Sequence, residues 1–87
     1  RPHTLVGFAA ETAAGDELLR LGGDKLRRKG CDLLVLNDVS GGKVFGSSSN
    51  SVVIIDNNAV VDTVSGSKDT VAHHILTAAR RHGEGNE

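Results

Sequence analysis

Two short apolar runs separated by a helix-like stretch constrain the fold of this chain most strongly. The runs cover residues 4–9 and 32–36, and the stretch between them is rich in Ala, Leu, Arg and Lys up to Lys29. A continuous apolar run is typical of a strand that is buried on both faces. Strand, helix and strand in this order predict a βαβ unit, in which a right-handed crossover joins two parallel strands.

The first predicted helix has recognisable signals at both ends. Thr12 is the predicted N-cap, acidic residues occupy the early turns, and three basic residues precede the helix stop at Gly30. The pair Gly22-Gly23 lies inside the segment, where each glycine costs about 1 kcal/mol relative to alanine. A bend or break at this pair is therefore an open alternative to a straight helix.

The second half of the chain predicts a hairpin and a helix. After a Gly- and Ser-rich loop at residues 40–51, two aliphatic strands at 51–56 and 59–64 flank the turn Asn57-Asn58. Ser67 is the predicted N-cap of a helix that ends near residue 82. The tail 83–87 is expected to be disordered.

These elements together predict a single α/β domain over residues 1–87. Its expected architecture is a Rossmann-like fragment of three layers, which combines the βαβ unit, the antiparallel hairpin and the C-terminal helix. Phe8 and Phe45 are the only aromatic residues of the 87, so the core must be aliphatic. A chain this short buries little surface. We therefore expect its core to be completed by a partner subunit or by the rest of a larger polypeptide.

The composition excludes several classes of protein. The one cysteine, Cys31, cannot form an internal disulfide or, alone, a cysteine-based zinc site, and an inert thiol is expected there. Ten basic and eleven acidic residues give a net charge of −1, which disfavours nucleic acid and anionic membrane as partners. No apolar run approaches the ~18 residues of a membrane span. We expect a cytoplasmic protein.

The parallel strands predict where a ligand would bind. In open α/β sheets the ligand crevice lies outside the carboxyl ends of the strands. Residues 8–11 and the pair Asn37-Asp38 follow the two predicted strands, so they should meet at one edge and form a pocket. An ordinary turn at Asn37-Asp38 is the alternative. The chain has no glycine-rich phosphate motif, so a phosphate would have to use helix amides and lysines.

Lys25 and Lys29 are four residues apart and should share one face of the first helix. A solvated basic face is the alternative. On a straight helix from residue 13, Lys25 lies roughly 18 Å from the N-terminus, too far to reach a phosphate bound there. Either the helix begins later, near Gly23, or breaks there, or the ligand lies elsewhere along the crevice.

The remaining polar residues predict no catalytic or metal centre. His73 and His74 are adjacent and would diverge by about 100° on a helix, so they cannot easily share a metal ion. With His82 they are interpreted as ordinary surface histidines. The serine run 47–49 lacks the G-x-S-x-G nucleophile motif.

Four segments in order resemble the C-terminal part of phosphopantothenate–cysteine ligase, over about residues 2–81. In bacteria this ligase is usually the second domain of a bifunctional flavoprotein of coenzyme A synthesis, fused to phosphopantothenoylcysteine decarboxylase. The segments that carry the resemblance are Val-Gly-Phe-Ala-Ala-Glu-Thr at 6–12, Lys-Leu-Arg-Arg-Lys-Gly-Cys-Asp at 25–32, Asn-Asp-Val-Ser at 37–40 and Phe-Gly-Ser at 45–47.

The resemblance implies a reaction and a set of site residues. The family activates 4′-phosphopantothenate with CTP and Mg²⁺ to an acyl-cytidylate, and the amine of cysteine then displaces CMP. By this resemblance Phe8 packs on the nucleotide, and Lys25 and Lys29 contact CTP. The remaining positions that match motif residues around the site are Ala9, Ala10, Asn37 and Asp38. A homodimer is implied, with FMN expected only in the fused decarboxylase domain.

The chain also departs from the family pattern. It is a few residues longer between Thr12 and Lys25, and it lacks both the family's Ser-Asn-His-Ser-Ser-Gly-Lys segment and its lysine-rich lid. We therefore expect no catalytic residue in this part of the ligase and no amide formation by it alone. The preference for CTP over ATP stays open. The alternative function is a non-catalytic α/β oligomerisation module that uses the edge of the hairpin.

Overall fold

The computed structural model of the chain contains one mixed four-stranded sheet and two helices. It describes residues 4–13, 15–38, 50–57 and 59–85. The elements in chain order are β1 (Val6–Glu11), α1 (Gly15–Lys29), β2 (Leu33–Asp38), β3 (Asn50–Ile55), β4 (Val60–Gly66) and α2 (Lys68–Gly85). The α/β class predicted from the sequence is confirmed.

The sheet has the strand order β1-β2-β3-β4. Strands β1 and β2 pair in parallel, from Val6 opposite Leu33 to Glu11 opposite Asp38. The other neighbours, β2–β3 and β3–β4, are antiparallel. The βαβ unit and the hairpin are thus confirmed. Both parallel strands extend two residues past their predicted ends, because backbone pairing continues through Ala10 and Glu11 and through the polar pair Asn37 and Asp38.

The two helices cover opposite faces of the sheet and form the predicted three layers. The α1 side has a core of Leu18, Leu26, Leu34, Leu36 and Ile55. The core on the α2 side consists of Leu33, Val35, Val52, Ile54, Val64, Val71 and Ala78. Successive residues of β2 alternate between these cores, as side chains of a strand must. Burial of β2 on both faces explains its continuous apolar sequence.

Helix α1 runs without interruption through Gly22-Gly23, so a bend or break there is wrong. Gly22 is buried against the sheet, and the missing side chain lets the helix approach closely. The predicted N-cap at Thr12 is also wrong, because the helix begins at Gly15.

The predicted stop at Gly30 is confirmed. Its φ of 68° is left-handed, and its amide donates to the Arg27 carbonyl at 3.3 Å while the Cys31 amide donates to the Leu26 carbonyl at 3.1 Å. These two bonds form a Schellman motif.

Helix α2 has the predicted cap at Ser67, whose Oγ accepts a hydrogen bond from the Thr70 amide at 3.2 Å. The helix continues to Gly85, three residues beyond its predicted end, so 83–85 are helical rather than part of a tail. The rest of the predicted tail, residues 40–49 of the predicted loop and Asn58 of the hairpin turn lie outside the described residues. The sequence predicts a loop that extends to residue 51, but β3 already begins at Asn50. Within the described ranges, neither helix is long and apolar enough to cross a membrane.

Candidate functional site

A pocket of about 290 Å³ opens near the carboxyl ends of β1 and β2. Its lining residues are Phe8, Ala9, Ala10, Val35 and Asn37. Ala10 and Asn37 are direct neighbours in the parallel ladder, and Glu11 and Asp38 follow them at the strand ends. The two segments expected to meet at this edge therefore do meet there. The backbone pairing places Asp38 at the same edge.

The pocket opens on the α2 side of the sheet. Val35 belongs to the core on that side, and Asn37 follows it at the alternate position of β2. On β1, Val6 packs against the same core, which puts Phe8 and Ala10 on this face by the same alternation.

Phe8 is 61% exposed although it is the one aromatic residue in the part of the chain that the structure describes. Its ring lies between the pocket and a second apolar groove of about 340 Å³ along α2, whose other lining residues are Lys68, Ala72, Ile75 and Leu76. A large exposed aromatic side chain at a pocket is well suited to packing on a planar ligand.

Lys25 reaches the same edge of the sheet from the α1 side. Its Nζ lies 2.5 Å from Oε1 of Glu11, the last residue of β1. The side chains of Lys25 and Glu11 are 31% and 15% exposed, so the pair is partly shielded from solvent. Since α1 starts at Gly15, the alternative of a helix start near Gly23 is wrong. A ligand that contacts Lys25 must lie along the crevice and not at the helix N-terminus.

Lys29 is less closely associated with the pocket. It is exposed, ends α1 and lies about one turn beyond Lys25, where the chain turns back towards the start of β2. The described residues thus bring Phe8, Ala9, Ala10 and Asn37 into one pocket on the α2 side, whereas Lys25 lies on the α1 side, paired with Glu11 at the end of β1. The structure does not bring Lys29 to that strand end.

Two histidine–carboxylate contacts were missed by sequence reasoning. His74 Nδ1 lies 2.8 Å from Oδ2 of Asp62, and His82 Nε2 lies 3.7 Å from Oδ1 of Asp32. The hydrogen bond from His74 is the main cause that lowers the pKa of Asp62. Each partner lies on a different element from its histidine, so local sequence gives no signal of the contact.

No metal centre is found in the described part of the chain, where no group of three His, Cys, Asp or Glu side chains could hold an ion. The rings of His73 and His74 meet edge to face at 6.2 Å. Cys31 is half-buried beside the core on the α1 side, and its Sγ lies close beneath Gly7. A packing role accounts for this thiol.

The parallel pair, its crossover helix and the pocket at the strand ends define a Rossmann-like α/β domain with a ligand crevice at one sheet edge. The sequence specifies the family further. The chain belongs to the DNA/pantothenate metabolism flavoprotein C-terminal domain family, whose profile matches residues 1–82.

Similar proteins are consistent with this assignment. The chain is 44% identical over 79 residues to the coenzyme A biosynthesis bifunctional protein CoaBC of Mycobacterium tuberculosis, a match that covers 87% of this chain and 19% of that protein. It is 47% identical over 58 residues to CoaBC of Haemophilus influenzae, a match that covers 67% of this chain and 14% of that protein. The chain thus spans less than a fifth of the length of these relatives.

A solved structure shows the same fold. The DNA/pantothenate metabolism flavoprotein from Streptococcus pneumoniae superposes with a TM-score of 0.70 at 19% identity. The superposition covers 91% of this chain and 34% of the other. At this identity the likeness concerns the fold alone. The family resemblance drawn from the sequence is confirmed by the profile and by the CoaBC relatives.

Proposed function

We propose that this chain is the CTP-binding part of a phosphopantothenate–cysteine ligase of coenzyme A biosynthesis. The observation that carries the proposal is the pocket that Phe8, Ala10 and Asn37 form at the carboxyl ends of β1 and β2, with Lys25 at the same strand ends on the α1 side of the sheet. The CoaBC relatives, named for a bifunctional role in coenzyme A biosynthesis, support the assignment to that biosynthesis.

The proposed reaction requires activation of a carboxylate. The carboxylate of 4′-phosphopantothenate attacks the α-phosphorus of CTP, which forms an acyl-cytidylate and releases pyrophosphate. The amine of cysteine then attacks the acyl carbon, forms the amide and releases CMP. Because the triphosphate carries a high negative charge, the site has to supply cations beside it.

The side chains of the pocket fit the parts of CTP. The exposed ring of Phe8 offers a flat apolar surface for the nucleoside, and the amide of Asn37 offers both a donor and an acceptor. Lys25 supplies an ammonium group at the same strand end. The predicted contact of Lys29 rests on the family resemblance alone.

Mg²⁺ is expected to enter with the nucleotide. In nucleotide sites this ion is usually held by phosphate oxygens together with one or two carboxylates and water. When bound, Mg²⁺ would neutralise phosphate charge. FMN is assigned by this proposal to the separate decarboxylase domain of the bifunctional protein.

The proposal includes two statements about assembly. First, the 87 residues do not form the amide by themselves, because the segments that the ligase family uses to handle the intermediate are not among them. Second, the protein forms a homodimer through the edge of β4. Val60 and Val61 on that edge strand are each 43% exposed, and an unpaired strand edge favours association.

Calorimetric titration with CTP, ATP and CMP in the presence of Mg²⁺ tests the proposal. Saturable heat with CTP, and no amide in a coupled assay with 4′-phosphopantothenate and cysteine, are the expected results. Absence of binding to any nucleotide by a folded dimer would contradict the proposal and favour the oligomerisation module. Amide formation by the chain alone would contradict the statement that it is incomplete.

A further inference from the structure

We propose that Glu11 is an internal competitor for Lys25. Its carboxylate forms an ion pair with the ammonium group that a nucleotide phosphate would otherwise contact. This competition sets the affinity of the site for phosphate groups. The inference rests on the proposed function, since it takes a cytidine nucleotide as the ligand. It identifies Glu11 as a further residue that determines how tightly that site binds different nucleotides.

The Lys25–Glu11 contact differs from the other ion pairs described on α1. Those pairs, Arg20–Glu17, Arg20–Asp24 and Arg27–Asp24, join neighbours within the helix, and both members of each are about half exposed. Exposed pairs of this kind contribute little. The Lys25–Glu11 pair instead joins α1 to the end of β1, and its carboxylate is the more deeply buried partner.

The geometry leaves the ammonium group open to a second anion. Lysine has three N–H donors, and one of them is directed to Glu11 at 2.5 Å. With 31% of its side chain exposed, Lys25 remains accessible from the solvent side, whereas Glu11 approaches it from the sheet. An incoming phosphate must therefore share Lys25 with the carboxylate or displace it.

The competition discriminates between ligands by charge. A triphosphate carries more negative charge than the single carboxylate and can also be anchored by Mg²⁺, so it can take Lys25 from Glu11. The single phosphate of CMP interacts with Lys25 no more strongly than Glu11 does, so it does not displace the carboxylate. Glu11 thus keeps CMP from Lys25, and it weakens CTP binding by the free energy of the ion pair that CTP has to break.

Glu11→Gln removes the charge and keeps the shape of the side chain. Calorimetry on the full chain should show CTP binding roughly three- to tenfold tighter, in line with the modest strength of a partly exposed ion pair. The gain for CMP should be no larger than the gain for CTP, because CMP gains only a contact with Lys25 that is too weak to displace Glu11. Glu17→Gln removes a carboxylate of α1, the helix of Lys25, that contacts Arg20 instead, and it should leave both affinities unchanged.

A double-mutant cycle separates competition for Lys25 from simple repulsion of the nucleotide by Glu11. In a Lys25→Ala background, Glu11→Gln should give no gain, whereas a gain of the same size would overturn the inference. Unchanged or weaker CTP binding by Glu11→Gln would also overturn it. Glu11→Asp keeps the charge but shortens the side chain. Its affinity for CTP should lie between those of the wild type and Glu11→Gln. This variant provides a readout if Glu11→Gln does not fold.

The two proposals fail in different ways. If the wild-type chain binds no CTP, the proposed function fails and this inference fails with it. If the wild-type chain binds CTP and Glu11→Gln does not tighten the binding, the inference alone fails.

Discussion

Gly22 of α1 lies directly against the side chain of Leu36 in β2. A Cβ at position 22 would collide with Leu36 Cδ1 and would come within 3.1 Å of Ile55 Cδ1. The next residue, Gly23, differs: a Cβ there would first meet the guanidinium of Arg27, the mobile end of a long side chain, at 3.2 Å. Two adjacent glycines thus serve different purposes, since only Gly22 is required for close packing of the helix on the sheet.

Alanine substitutions at these two positions should change stability in opposite directions. Gly22→Ala is expected to lower the free energy of unfolding by about 1–3 kcal/mol, because core side chains on β2 and β3 must move. Gly23→Ala should raise it by up to about 1 kcal/mol, because alanine favours the helix and the Arg27 tip can shift. Urea denaturation followed by circular dichroism measures both. Equal effects of the two substitutions would contradict the packing role of Gly22.

The sequence was sufficient to predict most of the fold. The two apolar runs, Gly30 and Ser67 are local signals, and each corresponds to the element or helix end that it predicts. The role of Gly22 could not be predicted, because its neighbours Leu36 and Ile55 are distant in sequence and their approach depends on the packed sheet.

The candidate site was predictable only in part. The rule for parallel strands correctly placed residues 8–11 beside Asn37 at one edge. The exposure of Phe8 depends on how α2 packs on its face of the sheet, and the contact between Lys25 and Glu11 depends on how α1 crosses the other face. The sequence specifies neither. The alternative of a later helix start near Gly23 is wrong because packing of Gly22 against the sheet offsets the cost of glycine in the helix.

The Asp62–His74 hydrogen bond should make stability depend on pH. The bond from His74 lowers the pKa of Asp62 below its unfolded value, near 3.9, so its contribution is fully present above that pH. The contribution is lost as pH falls through the lower folded pKa, where the carboxylate takes up a proton.

Asp62→Asn should therefore destabilise the protein at pH 7 by a few tenths to about 1 kcal/mol, the range for an exposed pair. The difference in melting temperature from wild type should shrink as the pH falls below about 4. Glu84→Gln serves as the control, because it alters a more exposed ion pair with Arg80 within α2. It should change the free energy of unfolding less at pH 7. A destabilisation by Asp62→Asn that stays constant down to pH 2.5 would exclude the ionised carboxylate as its source.

Truncation of Phe8 should separate binding from stability. Because the ring is largely exposed, Phe8→Ala should change the melting temperature little, yet it should weaken CTP binding by roughly tenfold or more through loss of a stacking surface worth about 1–3 kcal/mol. Leu5→Ala, at an exposed position just before β1 and outside the pocket, should leave the CTP affinity unchanged. Calorimetry and thermal melts measure the two properties, and wild-type affinity in Phe8→Ala would remove this ring from the proposed site.

Charge on the edge of β4 should prevent the proposed dimer. Val60 and Val61 are exposed on this strand, and lysine at the edge of a sheet opposes pairing with a second chain. The double substitution Val60→Lys and Val61→Lys should therefore shift the mass measured by light scattering from dimer to monomer.

Leu76→Lys places the same charge on an exposed apolar position of α2 and should leave the dimer intact. Since β1 and β4 are opposite edges of the sheet, the monomeric variant should still bind CTP at the β1 edge. Loss of binding together with loss of the dimer would mean that the second subunit completes the nucleotide site. A double lysine variant that keeps the dimer mass would place the contact on another surface.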